Sequence, residues 1–448
     1  MAIKFENIDY YFWAILFFGA LLRLISLFII PIGPDYVSFV AGTKGIIEFD
    51  YFRYDTFRPP GFSLIIVPFL FLTMNNYILA SKLASFFMSI ILIYYSYYVF
   101  TEASKQLYVQ TNEKREYKAK LIGLLVCILI SVNLYFVVNT GRGLREDLLT
   151  LLFILGFYYS IIKKEMNMKD NILLALVMTL LTLTLLSAGL FFSAGLLLYY
   201  LLSKIKKLKI KPLSNKKIII VLFVVGISFT FWACFSAIAA GNPLYNWSRQ
   251  GSFFKDKHNL DMSSLDGLID ALINAVLLGI PFEIYFLFLL ISLVFTLLVF
   301  YIIIKNFKQK QVLLIFLVVG INFLYISIFM APSKVLLIPN HPRVMIYLFP
   351  FIFYLGTIPL VNIFVKYQTK YEKDSNDKKS INMIRLFFLF LISYSLQGFL
   401  YWFDYHGFPP PLHFAILPIY LTDEIVLIIY LLKSKHINYS KIRRLDEL

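Results

Sequence analysis

Long apolar runs, each ended by a short polar connection, recur along this chain from end to end. They fall at roughly 10–32, 76–100, 119–138, 147–162, 171–186, 188–202, 218–239, 281–304, 311–331, 344–365, 386–403 and 415–432. Lipid offers backbone N–H and C=O groups no partner, so a crossing segment must satisfy them internally; about 20 apolar residues of α-helix do so. The pattern predicts an all-α, polytopic transmembrane helical bundle of about 12 spans. The fifth and sixth runs are short and separated only by Ser187-Ala188-Gly189. Two connections are long: Gly33–Gly61 and Ala240–Pro281, the first and fourth loops on their side of the membrane. The later one contains an amphipathic stretch, Leu265–Leu278, suited to lying along the interface. No internal repeat is visible, which argues against most secondary-transporter folds.

Charge gives the bundle its sides, because cytoplasmic connections carry the excess of Lys and Arg. With the N-terminus inside, 30 of the 42 Lys and Arg fall on inner connections and 10 on outer ones, leaving Arg23 and Lys82 within runs. Both termini are thus expected in the cytoplasm of a multi-pass cell-membrane protein, with the two long loops outside. Of the 448 residues 60% are hydrophobic and 15% charged, and mean hydropathy is +0.76. Soluble chains carry about 25% charged residues. Residues 1–448 therefore read as a single transmembrane domain with no soluble domain. The net charge of +16 does not mark a nucleic-acid partner, since the cations sit in short loops and form no basic domain. Lys204–Lys217 and Lys366–Arg385 are the strongest inner clusters, placed to contact anionic lipid head groups. Cys127 and Cys234 lie inside apolar runs, without a disulfide or zinc pattern. Met1–Tyr10 lacks a cleavage signal. The ending Asp446-Glu447-Leu448 resembles a retention signal, but twelve spans place it on the side where none is read.

Chemistry concentrates on the outer side. Asp35, in Pro34-Asp35-Tyr36, stands where a carboxylate can take a proton from an attacking hydroxyl, although Gly-Pro-Asp is also ordinary turn chemistry. Arg58, in Arg58-Pro59-Pro60-Gly61, is a guanidinium on a rigid turn, suited to phosphate oxygens, or an interface anchor. Gly141-Arg142-Gly143-Leu144-Arg145-Glu146-Asp147 places two acids and two bases in one short connection; acids there also suit a helix start. Ser81-Lys82-Leu83-Ala84-Ser85 opens the second run, and Asn340-His341-Pro342-Arg343 puts a cation at the head of a later one. Asp423-Glu424 falls within the last run, where ionisable residues are costly. His341, His406 and His413 share a side without metal-site spacing, and Asn246-Trp247-Ser248 is a sequon.

In this order and sidedness the motifs resemble those of multi-spanning glycosyltransferases of the GT-C fold, most nearly glycosyltransferase family 39: protein mannosyltransferases and aminoarabinose transferases. The resemblance covers the motif-bearing residues 10–200 and is thin over 201–448. It implies a membrane glycosyltransferase moving a hexose or pentose from a polyprenyl- or dolichyl-phosphate carrier to a glycan, lipid or protein acceptor at the outer face. It implies Asp35 as catalytic base, and Glu146 with Asp147 as a second acidic site. Arg58 would hold the donor phosphate, with Arg249 in Trp247-Ser248-Arg249-Gln250-Gly251, Lys82 and Arg343 as further cations for it. Tyr36 stands where many relatives carry a second acid, and Ser187 where many carry Arg. A base for the nucleophile and cations for the phosphate leaving group are what displacement at an anomeric carbon requires; a single displacement inverts configuration. No cofactor and no metal site is predicted, though a divalent ion could assist the cations. A transporter or flippase of lipid-linked glycans, or a glycan polymerase or ligase, is the alternative reading.

Overall fold

The computed structural model describes residues 8–33, 36–48, 59–107, 113–205, 212–243, 293–305, 310–330, 346–374, 377–405, 422 and 424–433. Among them every regular element is helical. In chain order they are α1 (Ile8–Ile29), α2 (Tyr36–Ile47), α3 (Gly61–Leu72), α4 (Tyr77–Leu107), α5 (Glu113–Val132), α6 (Leu134–Gly141), α7 (Glu146–Phe157), α8 (Met168–Thr184), α9 (Leu186–Lys204) and α10 (Asn215–Ala240). Later in the chain follow α11 (Leu293–Lys305), α12 (Lys310–Met330), α13 (Phe349–Lys373) and α14 (Lys378–Tyr405), with residues 424–433 helical again. A π turn, Tyr158–Ile162, prolongs α7, and a 3₁₀ turn, Ile346–Leu348, leads into α13.

Five described helices are long and apolar enough to cross a bilayer: Ile8–Ile29, Tyr77–Leu107, Leu186–Lys204, Asn215–Ile238 and Ile346–Lys373. In α1 the buried positions Ile8, Phe12, Gly19, Arg23, Ser26 and Leu27 form one stripe. Trp13, Phe17, Leu21 and Phe28 stand exposed on the other, the apolar surface a lipid-facing helix presents. α13, by contrast, is buried along most of its length, and Phe351 and Tyr354 pack against Phe100 of α4.

Three boundaries differ from the sequence expectation. The connection Gly33–Gly61 contains the helix α2, which packs on α3 through an edge-on Phe39–Phe62 pair 5.0 Å apart. The run 119–138 is interrupted at Asn133, between α5 and α6. The break between the fifth and sixth runs falls at Leu185, whose extended backbone ends α8 and starts α9. The small residues after it serve the fold-back: a Cβ on Gly189 would collide with Thr182.

One end of the bundle is tied by polar contacts across distant helices. Lys120 of α5 pairs with Asp9 of α1 at 2.9 Å, and Tyr97 donates to the same carboxylate at 2.9 Å. Gln106 donates to the carbonyl of Ile162 at 2.6 Å and accepts from Gln311, whose own carbonyl accepts from Tyr354. Asn167 and Asp170 form a reciprocal capping box at the start of α8, and Lys163 pairs with Asp170 at 2.5 Å.

Candidate active site

The site is built where the C-terminus of α1, the N-termini of α3 and α4, the α6–α7 connection and the α8–α9 joint meet. Main chain makes several of the joints. The N–H of Gly33 donates to the carbonyl of Arg142 at 3.1 Å. Gly61, just after the Pro59-Pro60 turn, rests on Leu183 and Thr184. Gly143 has φ +68° and lies against Ser81 and the backbone nitrogen of Lys82; that backbone region and that proximity both disfavour a Cβ.

α4 supplies serines at every fourth position, which places them on one helix face. Ser81 Oγ donates to the carbonyl of Gly143 at 2.7 Å. Ser85 Oγ lies 2.9 Å from the carbonyl of Leu144 and 3.1 Å from Asp147 Oδ2. Ser89 Oγ accepts from Arg23 Nε. The terminal nitrogens of Arg23, a residue with no exposed surface, donate to the carbonyls of Gly19, Ile130 and Ser131 at 3.0–3.1 Å. Arg23 is also near enough to act electrostatically on Asp147. A polar seam thus runs from α1 through α4 to the head of α7, between apolar walls.

The predicted acids divide along this seam. Asp147 is wholly buried; its Oδ2 accepts from Thr140 at 2.8 Å and from Ser85, while Oδ1 has no hydrogen-bond partner among the described residues. Glu146, beside it, is 5% exposed. Lys82 directs its ammonium at the carbonyls of Leu27 and Ile30, 2.7 Å from each, closing the C-terminus of α1. Arg145 donates to the carbonyl of Thr184 at 2.9 Å and covers the Phe39 ring at 5.8 Å. Asp35, Arg58, Arg249 and Arg343 lie outside the described residues. The described neighbours of the first two, Gly33, Tyr36 and Pro59, belong to this end of the bundle. Glu424 is buried, and Asp423 lies outside the described residues. Among the described residues no three His, Cys, Asp or Glu side chains group as a metal-ion site.

Sequence reasoning noted Arg23 and Ser81–Ser85 without a role for either. The signal was the serine spacing, 81, 85 and 89, opposite a lone arginine in an apolar run. Thr140 and Thr184 carried no such signal, because their partners are set by tertiary packing alone.

No protein-family model matches the chain, and no curated protein matches it in sequence. Solved structures do match in fold. Over 94% of this chain, at 12% identity and a TM-score of 0.50, it is similar to ArnT from Cupriavidus metallidurans bound to undecaprenyl phosphate, of which 75% is covered. Over 87% of the chain, at 10% identity and a TM-score of 0.52, it is similar to the archaeal oligosaccharyltransferase AglB from Archaeoglobus fulgidus in complex with an inhibitory peptide and a dolichol-phosphate. The chain has the GT-C fold. It spans 75% of the ArnT chain and 55% of the AglB chain. Within the GT-C fold of this chain, the converging end described above is the part that holds Glu146, Asp147 and Lys82 together.

Proposed function

We propose that this protein is a membrane glycosyltransferase that takes a sugar from a polyprenyl- or dolichyl-phosphate carrier and places it on an acceptor at the outer face. The observation that carries the reading is the shared fold with two proteins solved with undecaprenyl phosphate and with a dolichol-phosphate. Supporting it is the convergence, at one end of the bundle, of the connections that bear the acids and the Pro-Pro-Gly turn.

The reaction assigns each side chain a task. The acceptor oxygen attacks the anomeric carbon as its proton passes to Asp35, and the bond from that carbon to the phosphate oxygen breaks, inverting the centre. Negative charge grows on the departing lipid phosphate, where Arg58 and Arg249, with Arg343, offset it. Buried hydroxyl contacts make Asp147 the member of its pair that positions the α6–α7 connection, leaving Glu146 for the second acidic role. Lys82, engaged with the end of α1, acts by fixing that end against α4.

Sugar transfer from a polyprenyl-phosphate donor by purified protein tests this directly. Asp35→Asn keeps the size of the side chain but cannot take the proton, so transfer should fall by roughly 10²–10⁴-fold while donor binding is retained. Arg58→Ala should weaken donor binding, and Arg58→Lys should restore it only in part, because the planar fork is lost. Equal transfer by wild type and Asp35→Asn would remove Asp35 from the mechanism. Movement of the lipid-linked sugar across vesicles without transfer would replace the enzyme by a flippase.

A further inference from the structure

At the opposite end of the bundle three ammonium groups surround one aromatic ring. Lys366 and Lys370, one turn apart on α13, and Lys379, in the first turn of α14, lie 5.6, 6.0 and 5.8 Å from the centre of the Tyr367 ring. Tyr367 is buried, and its hydroxyl reaches the carbonyl of Lys433 at 3.5 Å, so three segments fix the ring. The lysines themselves are exposed.

A ring face attracts a cation, but three like charges gathered on one ring also repel one another. Among the described residues none of the three forms an ion pair with a carboxylate. One acid, Asp377, stands beside the cluster without closing an ion pair to it. Asp377 accepts from Ser380 Oγ at 2.5 Å and from the N–H of Lys379 at 3.1 Å, and Glu372 accepts from Gln368 at 3.1 Å. The cluster also sits at a particular depth. From Phe349 to Val365 α13 carries no charged residue, and Lys366 is the first after it. That is the level at which a helix leaves hydrocarbon for phosphate head groups. Further along α14, Leu389 and Ile392 are exposed and apolar, a surface for acyl chains.

We propose that Lys366, Lys370 and Lys379 form, around Tyr367, a binding site for the phosphate of an anionic lipid head group. The site is separate from the candidate active site and does not depend on its chemistry.

The test uses the full chain, purified in neutral detergent, with thermal unfolding and native mass spectrometry read during titration with phosphatidylglycerol, phosphatidylcholine or inorganic phosphate. Each Lys near an anionic lipid surface contributes on the order of fivefold in affinity. The triple variant K366Q/K370Q/K379Q should therefore bind phosphatidylglycerol at least about tenfold more weakly. The control K164Q/K169Q/K216Q, which removes the same charge from exposed lysines elsewhere at this end, should bind it as wild type does. Equal losses in both variants would mean diffuse charge attraction and overturn the site. Stabilisation by inorganic phosphate as strong as by phosphatidylglycerol would make it a free-anion site and also overturn the proposal. If the triple variant does not fold, K379Q alone carries the test, and unchanged phosphatidylglycerol affinity there would sink it.

Discussion

Arg23 and Asp147 are opposite charges, both without exposed surface, on helices brought together only by the folded bundle. Each is held by neutral partners: Arg23 by Ser89 and three carbonyls, Asp147 by Thr140 and Ser85. Truncating Arg23 removes the donor that Ser89 Oγ and these three carbonyls share, and a buried polar group left without its partner costs about 1–3 kcal/mol. Arg23→Met should therefore lower thermal stability in detergent strongly. Arg23→Met combined with Asp147→Asn should be less damaging than the sum of the single changes, by about 0.5–3 kcal/mol. Strict additivity would show that the two charges do not cooperate. At this scale the sequence was half legible. Two acids in a short connection stood out at once, but the division of labour between Glu146 and Asp147 depends on hydroxyls of Ser85 and Thr140, one of them far away in the chain.

Helices α4, α8, α9 and α13 begin or end near the positions that apolar run length implies, because burial in lipid and backbone satisfaction both demand it. The helix α2 was not legible. Gly42 and Gly45 weaken its local propensity, and it is held by Phe39 on Phe62, by Ser63 Oγ donating to the Phe39 carbonyl and by its own Thr43 Oγ1 donating to the Ser63 carbonyl. The break at Asn133 was hidden for the opposite reason: apolar residues continue on both sides, so composition records nothing. The start of α8 illustrates a local rule that does read from sequence, Asn167 and Asp170 in capping-box spacing. The Lys163 ammonium donating to Asp170 holds that carboxyl below the usual carboxylate range. Its contribution is therefore complete above about pH 4, the unfolded carboxylate value, and fades as pH falls through the lower folded value. Wild type should be more heat-stable than Asp170→Asn at neutral pH, and the gap should close on acidification below about pH 4. A gap that acidification leaves unchanged would mean that the ion pair contributes nothing to it.

The molecule as a whole has two chemically different ends. One gathers glycine turns, buried acids and main-chain joints; the other gathers lysines, a capping box and side-chain bridges between helices. From the excess of Lys and Arg we propose that the second end is the cytoplasmic one. Single cysteines at Ser252 and Ser375 check this with an impermeant thiol reagent, after Cys234, which is exposed, is replaced; Cys127 is buried. In intact cells Ser252→Cys should label and Ser375→Cys should not; the reverse pattern would invert the topology. Arg23 carries a consequence for how such a molecule is made. Its partner carbonyls at Ile130 and Ser131 lie 107 and 108 residues further along the chain. At a synthesis rate of about 5–20 residues per second, the first helix waits roughly 5–20 seconds for them. Within its own helix Arg23 donates to the carbonyl of Gly19. A guanidinium at mid-helix disfavours membrane insertion by about 2.5–3.5 kcal/mol. The opening segment therefore enters the bilayer on its aromatic and aliphatic residues alone, and its docking is completed by helices not yet translated when it arrives.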